Sequence, residues 1–180
     1  MYSARFDGRF EVSPPLNAGE IEFLRAFAGP ASGPHNAGRD GLPSRGRPMS
    51  WCQWVPTDDG SALVWDGEEH FFRHAEWLAY LIDSLLSPRA RMRRVLRGRR
   101  DRFPEALSHF TFDHVVDGVV TVHSSAGDEE WITVRDNVVQ SVAQVGDRFR
   151  SEATRPVQGL CLSALHRPEH ATVPEATAVL

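Results

Sequence analysis

Apolar residues recur in this chain with period two in three blocks and with a helical period in two others, and that switching limits the folds open to it. A strand shows alternate side chains to one face, whereas a helix shows every third or fourth. Residues 4–12 alternate Phe6, Phe10 and Val12 with polar neighbours and predict an opening strand, which Pro14 and Pro15 stop. Asn17, with Glu20 three positions on, has the pattern of a capping box. Ile21, Leu24 and Phe27, with Phe23 beside them, then carry a helix to about residue 28. Residues 51–55 and 62–65 predict two short aromatic-rich strands, joined by a hairpin with Asp59-Gly60 at its tip. Phe72, Ala75, Leu78, Tyr80, Leu81, Ile82, Leu85 and Leu86 predict the longest helix, over 72–87, with a wide apolar face and Pro88 as its stop.

The third block, 110–143, is all strand in character. Asp117-Gly118 and Asp136-Asn137 each read as a two-residue hairpin turn between runs of Val, Ile and Thr, which predicts a meander of three or four strands. The element order is thus β, α, β-hairpin, α, β-meander, with no βαβ repeat. An α+β fold is expected: a two-layer sandwich of a mostly antiparallel sheet with two helices on one face. It should occupy residues 1–146 as one domain. Residues 29–48 hold nine glycines and prolines, have no periodicity, and are expected to be an irregular, disordered loop. Residues 147–180 are mixed and polar and are expected to form a flexible tail.

Charge is distributed unevenly. The chain has no lysine, and of its 20 arginines eight fall within 89–102: Arg89, Arg91, Arg93, Arg94, Arg97, Arg99, Arg100 and Arg102. With Asp101 that strip carries +7, so the rest of the chain carries −11 to give the net −4. An acidic body bears one basic strip. The strip predicts either contact with a polyanion such as nucleic acid, through phosphate pairing and counterion release, or a solvated connector that pairs with the acidic body. No aromatic residue interrupts 89–102, so base stacking is not indicated there. The N-terminus lacks an apolar signal segment, and no run approaches the roughly 18 apolar residues of a membrane span. A cytoplasmic protein without membrane contact is expected.

Residues 51–82 contain Trp-Cys-Gln-Trp-Val-Pro, Asp59-Gly60, Trp65-Asp66-Gly67, Glu76-Trp77-Leu78 and Tyr80-Leu81-Ile82, and Val134-Arg135-Asp136-Asn137-Val138-Val139 closes the sheet region. This combination resembles an uncharacterised family of small bacterial and phage proteins. The opening Pro15-Leu16 and Glu20 are similar too. The likeness omits the 29–48 loop, the arginine strip and the tail, which look like additions. It implies a shared domain and brings no chemistry.

Catalytic and metal motifs are weak. His70 and His74 are spaced i, i+4, but Phe71 stands where the zinc-protease pattern needs Glu, and exposed or capping histidines are expected. Cys161, His166 and His170 sit in the expected tail with Pro168 between the histidines. Cys52 with a distant His114 would make a nucleophile pair, but a small core residue is the plainer reading. Asp58, Asp59, Asp66, Glu68 and Glu69 cluster at hairpin ends, where Asp-Gly pairs serve turns. Gly-rich phosphate loops are absent. No cofactor, metal or catalytic residue is assigned.

The tryptophans are the most distinctive feature. Trp51, Trp54 and Trp65 predict an aromatic surface or groove for a protein partner, against the alternative of simple core filling. The expected function is therefore a non-enzymatic protein-binding or regulatory module. Polyanion binding through 89–102 is the alternative, and a small carboxylate-dependent enzyme the weakest reading.

Overall fold

The computed structural model describes residues 4–99, 102–145 and 148–152, without the side chains of Arg99, Val145 and 148–152. Its frame is set by β1 (Ala4–Ser13), which turns Phe6, Phe10 and Val12 to a buried face and Arg5, Asp7, Arg9 and Glu11 to solvent. The other strands are β2 (Trp54–Pro56), β3 (Ala62–Trp65), β4 (Val115–Ser124), β5 (Glu129–Arg135), β6 (Val138–Val145) and β7 (Arg148–Glu152). They form one antiparallel sheet in the order β2-β3-β1-β4-β5-β6-β7. Helices α1 (Ala18–Phe27) and α2 (His74–Leu81) cover one face, joined by a T-shaped contact between Phe27 and Trp77. The expected α+β sandwich forms. Among the described residues, no helix is long and apolar enough to cross a membrane.

Several local signals act as their chemistry requires. Asn17 Oδ1 accepts from the Glu20 amide and Glu20 Oε2 from the Asn17 amide, closing the capping box. Asp136 and Asn137 both have positive φ, 48° and 68°, as a tight β5–β6 hairpin demands. The β2–β3 hairpin tip is seated on the chain before α1, where the Leu16 amide donates to the Gly60 carbonyl. α2 runs on as a π turn (Ile82–Leu86), which buries Leu85 and Leu86.

Four expectations change. Asp117-Gly118 is no turn, because β4 passes straight through it. Gly118 has φ 141° and faces Phe10, and a Cβ there would lie 2.7 Å from the Arg9 carbonyl oxygen. Gly8 makes the reciprocal approach to Val119, so the two glycines let β1 and β4 meet closely. Asp117 instead caps the next hairpin, accepting from the Asp136 amide at 2.7 Å.

Residues 29–48 are irregular but packed, through two 3-10 turns and the buried Ser32, Leu42 and Arg47. The Arg47 guanidinium donates to the Ser32 carbonyl and to Asp40, and lies over the Phe27 and Trp77 rings. One buried cation orders the segment.

The arginine strip is no solvated connector either. It forms a third helix, α3 (Arg91–Arg99), which buries Met92 and Leu96 and packs on the π turn Ile82–Leu86 that follows α2. An isolated helix of nine residues is marginal. Burial of two large apolar side chains supplies about 3–6 kcal/mol towards holding it. Finally, β7 extends the sheet beyond the expected boundary at 146. Residues 153–180, where Cys161, His166 and His170 fall, lie outside the described residues.

Candidate binding surface

α3 sorts its arginines by position. Met92 and Leu96, four apart, face inward, which leaves Arg94 and Arg97, three apart, on the outward side with Arg93 at its flank. Arg89, Arg94, Arg97 and Arg102 are exposed. Arg93 Nη1 donates to the Pro88 carbonyl at 2.6 Å, and Gly98 has open space beside it. Arg91 is turned inward: Nη1 donates to the Arg45 carbonyl at 2.6 Å and Nη2 to Ser84 Oγ at 3.1 Å. Its guanidinium lies 5.6 Å from the Tyr80 ring centre. Arg100 and the Arg99 side chain lie outside the described residues.

Among the described residues, the ion pairs of the acidic body engage arginines elsewhere. The arginine ion pairs join Arg5 to Asp7, Arg9 to Glu11, Arg25 to Asp58, Arg47 to Asp40 and Arg73 to Glu76. Among the described residues, none includes Arg89, Arg91, Arg93, Arg94, Arg97 or Arg102.

The three tryptophans do not share a surface. Trp54 is 1% exposed, packed edge-on against Phe6, Phe10 and Phe71, with Nε1 donating to the His74 carbonyl at 2.8 Å. It belongs to the core and leaves the expected partner surface. Trp65 is half-buried beside Phe6, its Nε1 donating to Gln53 and to the Glu68 carbonyl. Trp51 alone stands out, at 52% exposed. Met49, 74% exposed, and Phe72, 50% exposed, are near it in the chain path, because Ser50 Oγ donates to the Phe72 carbonyl at 3.0 Å.

The weaker catalytic candidates fall into structural roles. Cys52 is buried, and burial pushes its thiol up to about 12, too high for a nucleophile. It shares no contact with His114, whose partners are Glu20, Thr111 and Pro14. His74 Nε2 meets Glu130 at 2.9 Å and its Nδ1 the Phe71 carbonyl, whereas His70 is exposed on left-handed backbone ahead of α2. The two therefore share no helical face. Asp58 pairs with Arg25, and Asp59 is held down to about 2 by hydrogen bonds from Thr57 and Ser61. Asp66 accepts from the Glu68 amide. Among the described residues, no group of three or more His, Cys, Asp and Glu side chains is placed to hold a metal ion.

One buried cluster joins residues far apart in the sequence. Glu20 Oε1, fully buried, accepts from the Thr111 amide at 2.8 Å and lies 3.1 Å from His114 Nε2, while His114 Nδ1 lies 2.7 Å from the Pro14 carbonyl. Burial opposes the charge on Glu20, but the bonds from His114, Thr111 and Asn17 outweigh it and leave its carboxyl below the ordinary range. Burial likewise opposes the charge on His114, and Glu20 and the Pro14 carbonyl outweigh it upwards. The pair fastens α1 to the segment before β4. Only the capping-box role of Glu20 had a local signal; His114 lies 94 residues away.

Comparison with family models, curated proteins and solved structures gives no match.

Proposed function

We propose that this protein is a binding module that holds a polyanion, nucleic acid foremost, on the outward face of α3. The observation that carries the reading is an ordered helix presenting Arg94 and Arg97 to solvent, with Arg89 exposed in the turn before it, none of them with an acidic partner among the described residues. Exposed arginines of that kind attract phosphate oxygens, and each contact releases counterions. The cytoplasmic location expected from the sequence suits such a partner. No aromatic residue lies within α3, so contact of its guanidiniums with the phosphate backbone, without base stacking, is the expected mode.

Binding of a labelled DNA duplex by the intact chain, compared with an Arg94→Glu/Arg97→Glu variant, tests it. With about four arginines engaged, affinity should fall on the order of 100-fold between about 50 and 200 mM salt. The double reversal should abolish binding while leaving the melting temperature unchanged. Salt-insensitive binding, or binding that survives the reversal, would overturn the reading.

A protein partner is the second reading, favoured by the exposed Met49, Trp51 and Phe72. Salt-insensitive pairing with a protein, lost on Met49→Ser/Phe72→Ser, would select it.

A further inference from the structure

The strap 43–51 crosses the outside of the helix layer, and its path joins α3 to the exposed tryptophan. Near the C-terminal part of α2, the Tyr80 hydroxyl donates to the Pro43 carbonyl at 2.7 Å. Arg91, anchored on Ser84 just past α2, donates to the Arg45 carbonyl. Further along, Arg47 lies 5.9 Å over the Trp77 ring. Ser50 Oγ accepts from Trp77 Nε1 at 2.9 Å and donates to the Phe72 carbonyl, ahead of the first turn of α2. The strap therefore runs from the α3 end of α2 to its opposite end.

Along that path the side chains divide. Arg47 and Pro48 point inward and are buried, whereas Arg45, Met49 and Trp51 are exposed. Arg45, exposed and with its carbonyl held by the Arg91 side chain of α3, adds a cation from a distant part of the sequence. Trp51 is 52% exposed at the far end, with Nε1 and Cδ1 of its ring lying beside Gly33, and the chain between Arg45 and Trp51 spans at most about 20 Å. Cations spaced along a path with an aromatic at one end match a strand whose phosphates are regular and whose bases are unpaired. A duplex keeps its bases stacked inside and offers nothing to Trp51.

We propose that α3 and the strap form one track for single-stranded nucleic acid, in which Arg89, Arg94, Arg97 and Arg45 hold phosphates and Trp51 stacks a base. The track rests on the polyanion reading of α3 and adds the ligand class. It places the aromatic contact outside the arginine segment, where the sequence shows none.

The experiment measures binding of labelled oligo(dT), of a duplex of the same length, and of heparin, which has charge but no bases. The intact chain, Trp51→Ala, Trp51→Tyr and Arg45→Gln are compared, each checked for an unchanged unfolding curve. The track predicts oligo(dT) bound more tightly than duplex and a loss of about tenfold on Trp51→Ala for oligo(dT) alone. Trp51→Tyr should restore it, and Arg45→Gln should weaken oligo(dT) and heparin alike. Equal affinity of Trp51→Ala and the intact chain for oligo(dT), or preference for duplex, overturns the track while leaving α3 as a polyanion site. Absence of binding to all three ligands overturns both.

Discussion

Arg47 and Arg94 are the same side chain put to opposite uses, and the contrast between their regions separates fold from function. Arg47 sits in the strap with its side chain 2% exposed; its guanidinium is met by Asp40 and the Ser32 carbonyl and lies against two aromatic rings. Arg94 sits on α3, exposed and without an acidic partner among the described residues. A buried charge must be fully paired or it costs the fold heavily, whereas an exposed one contributes little to stability and stays available. Satisfied arginines hold this protein together; unsatisfied ones offer themselves to something else.

That contrast sharpens into an ordered set of expectations. Arg47→Ala should cost the most, about 3–5 kcal/mol in denaturant unfolding, because it strands Asp40 and the Ser32 carbonyl and empties the space under the strap. Glu20→Gln should cost about 3 kcal/mol, since it removes the anion that faces His114 inside the protein. The pH dependence follows from the two shifts. The lowered Glu20 contributes stability that declines as pH falls below its ordinary 4.5, and the raised His114 contributes stability that declines as pH rises above its ordinary 6.5. Unfolding curves across pH should show both arms in the intact chain and both weakened in Glu20→Gln, where the lowered Asp59 and Glu130 still supply an acid arm. Gly118→Ala should cost about 1–3 kcal/mol, by strain at a positive φ and crowding of the Arg9 carbonyl. Arg94→Gln should change stability by less than about 0.5 kcal/mol and yet weaken polyanion binding. A large destabilisation by Arg94→Gln, or a negligible one by Arg47→Ala, would break the contrast.

Much of the fold could be read from the sequence wherever the signal was local. The capping box at Asn17, the Asp136-Asn137 turn and the stripe of α2 each depend on residues within a few positions. The local pattern fails where a partner lies far along the chain. Asp117-Gly118 has the composition of a turn, and only the distant Gly8 and Phe10 make it a close strand crossing. Residues 29–48 look structureless until Arg47 meets Ser32, Asp40 and the rings of Phe27 and Trp77. Met92 and Leu96 were too few, among eight arginines, to announce a docked helix. The candidate surface was half visible for the same reason. The strip itself stood out, but Trp51 and Arg45 reach it only through the strap, and Trp54 was lost to the core because a tryptophan's composition does not reveal its face.

The most direct test is the salt dependence of nucleic-acid affinity in single arginine-to-glutamine variants at positions 89, 94 and 97. The account predicts that each variant folds as the intact chain does and that each lowers the slope of log affinity against log salt by roughly 0.7–0.9. Slopes and affinities that stay at the intact value in all three variants would contradict it.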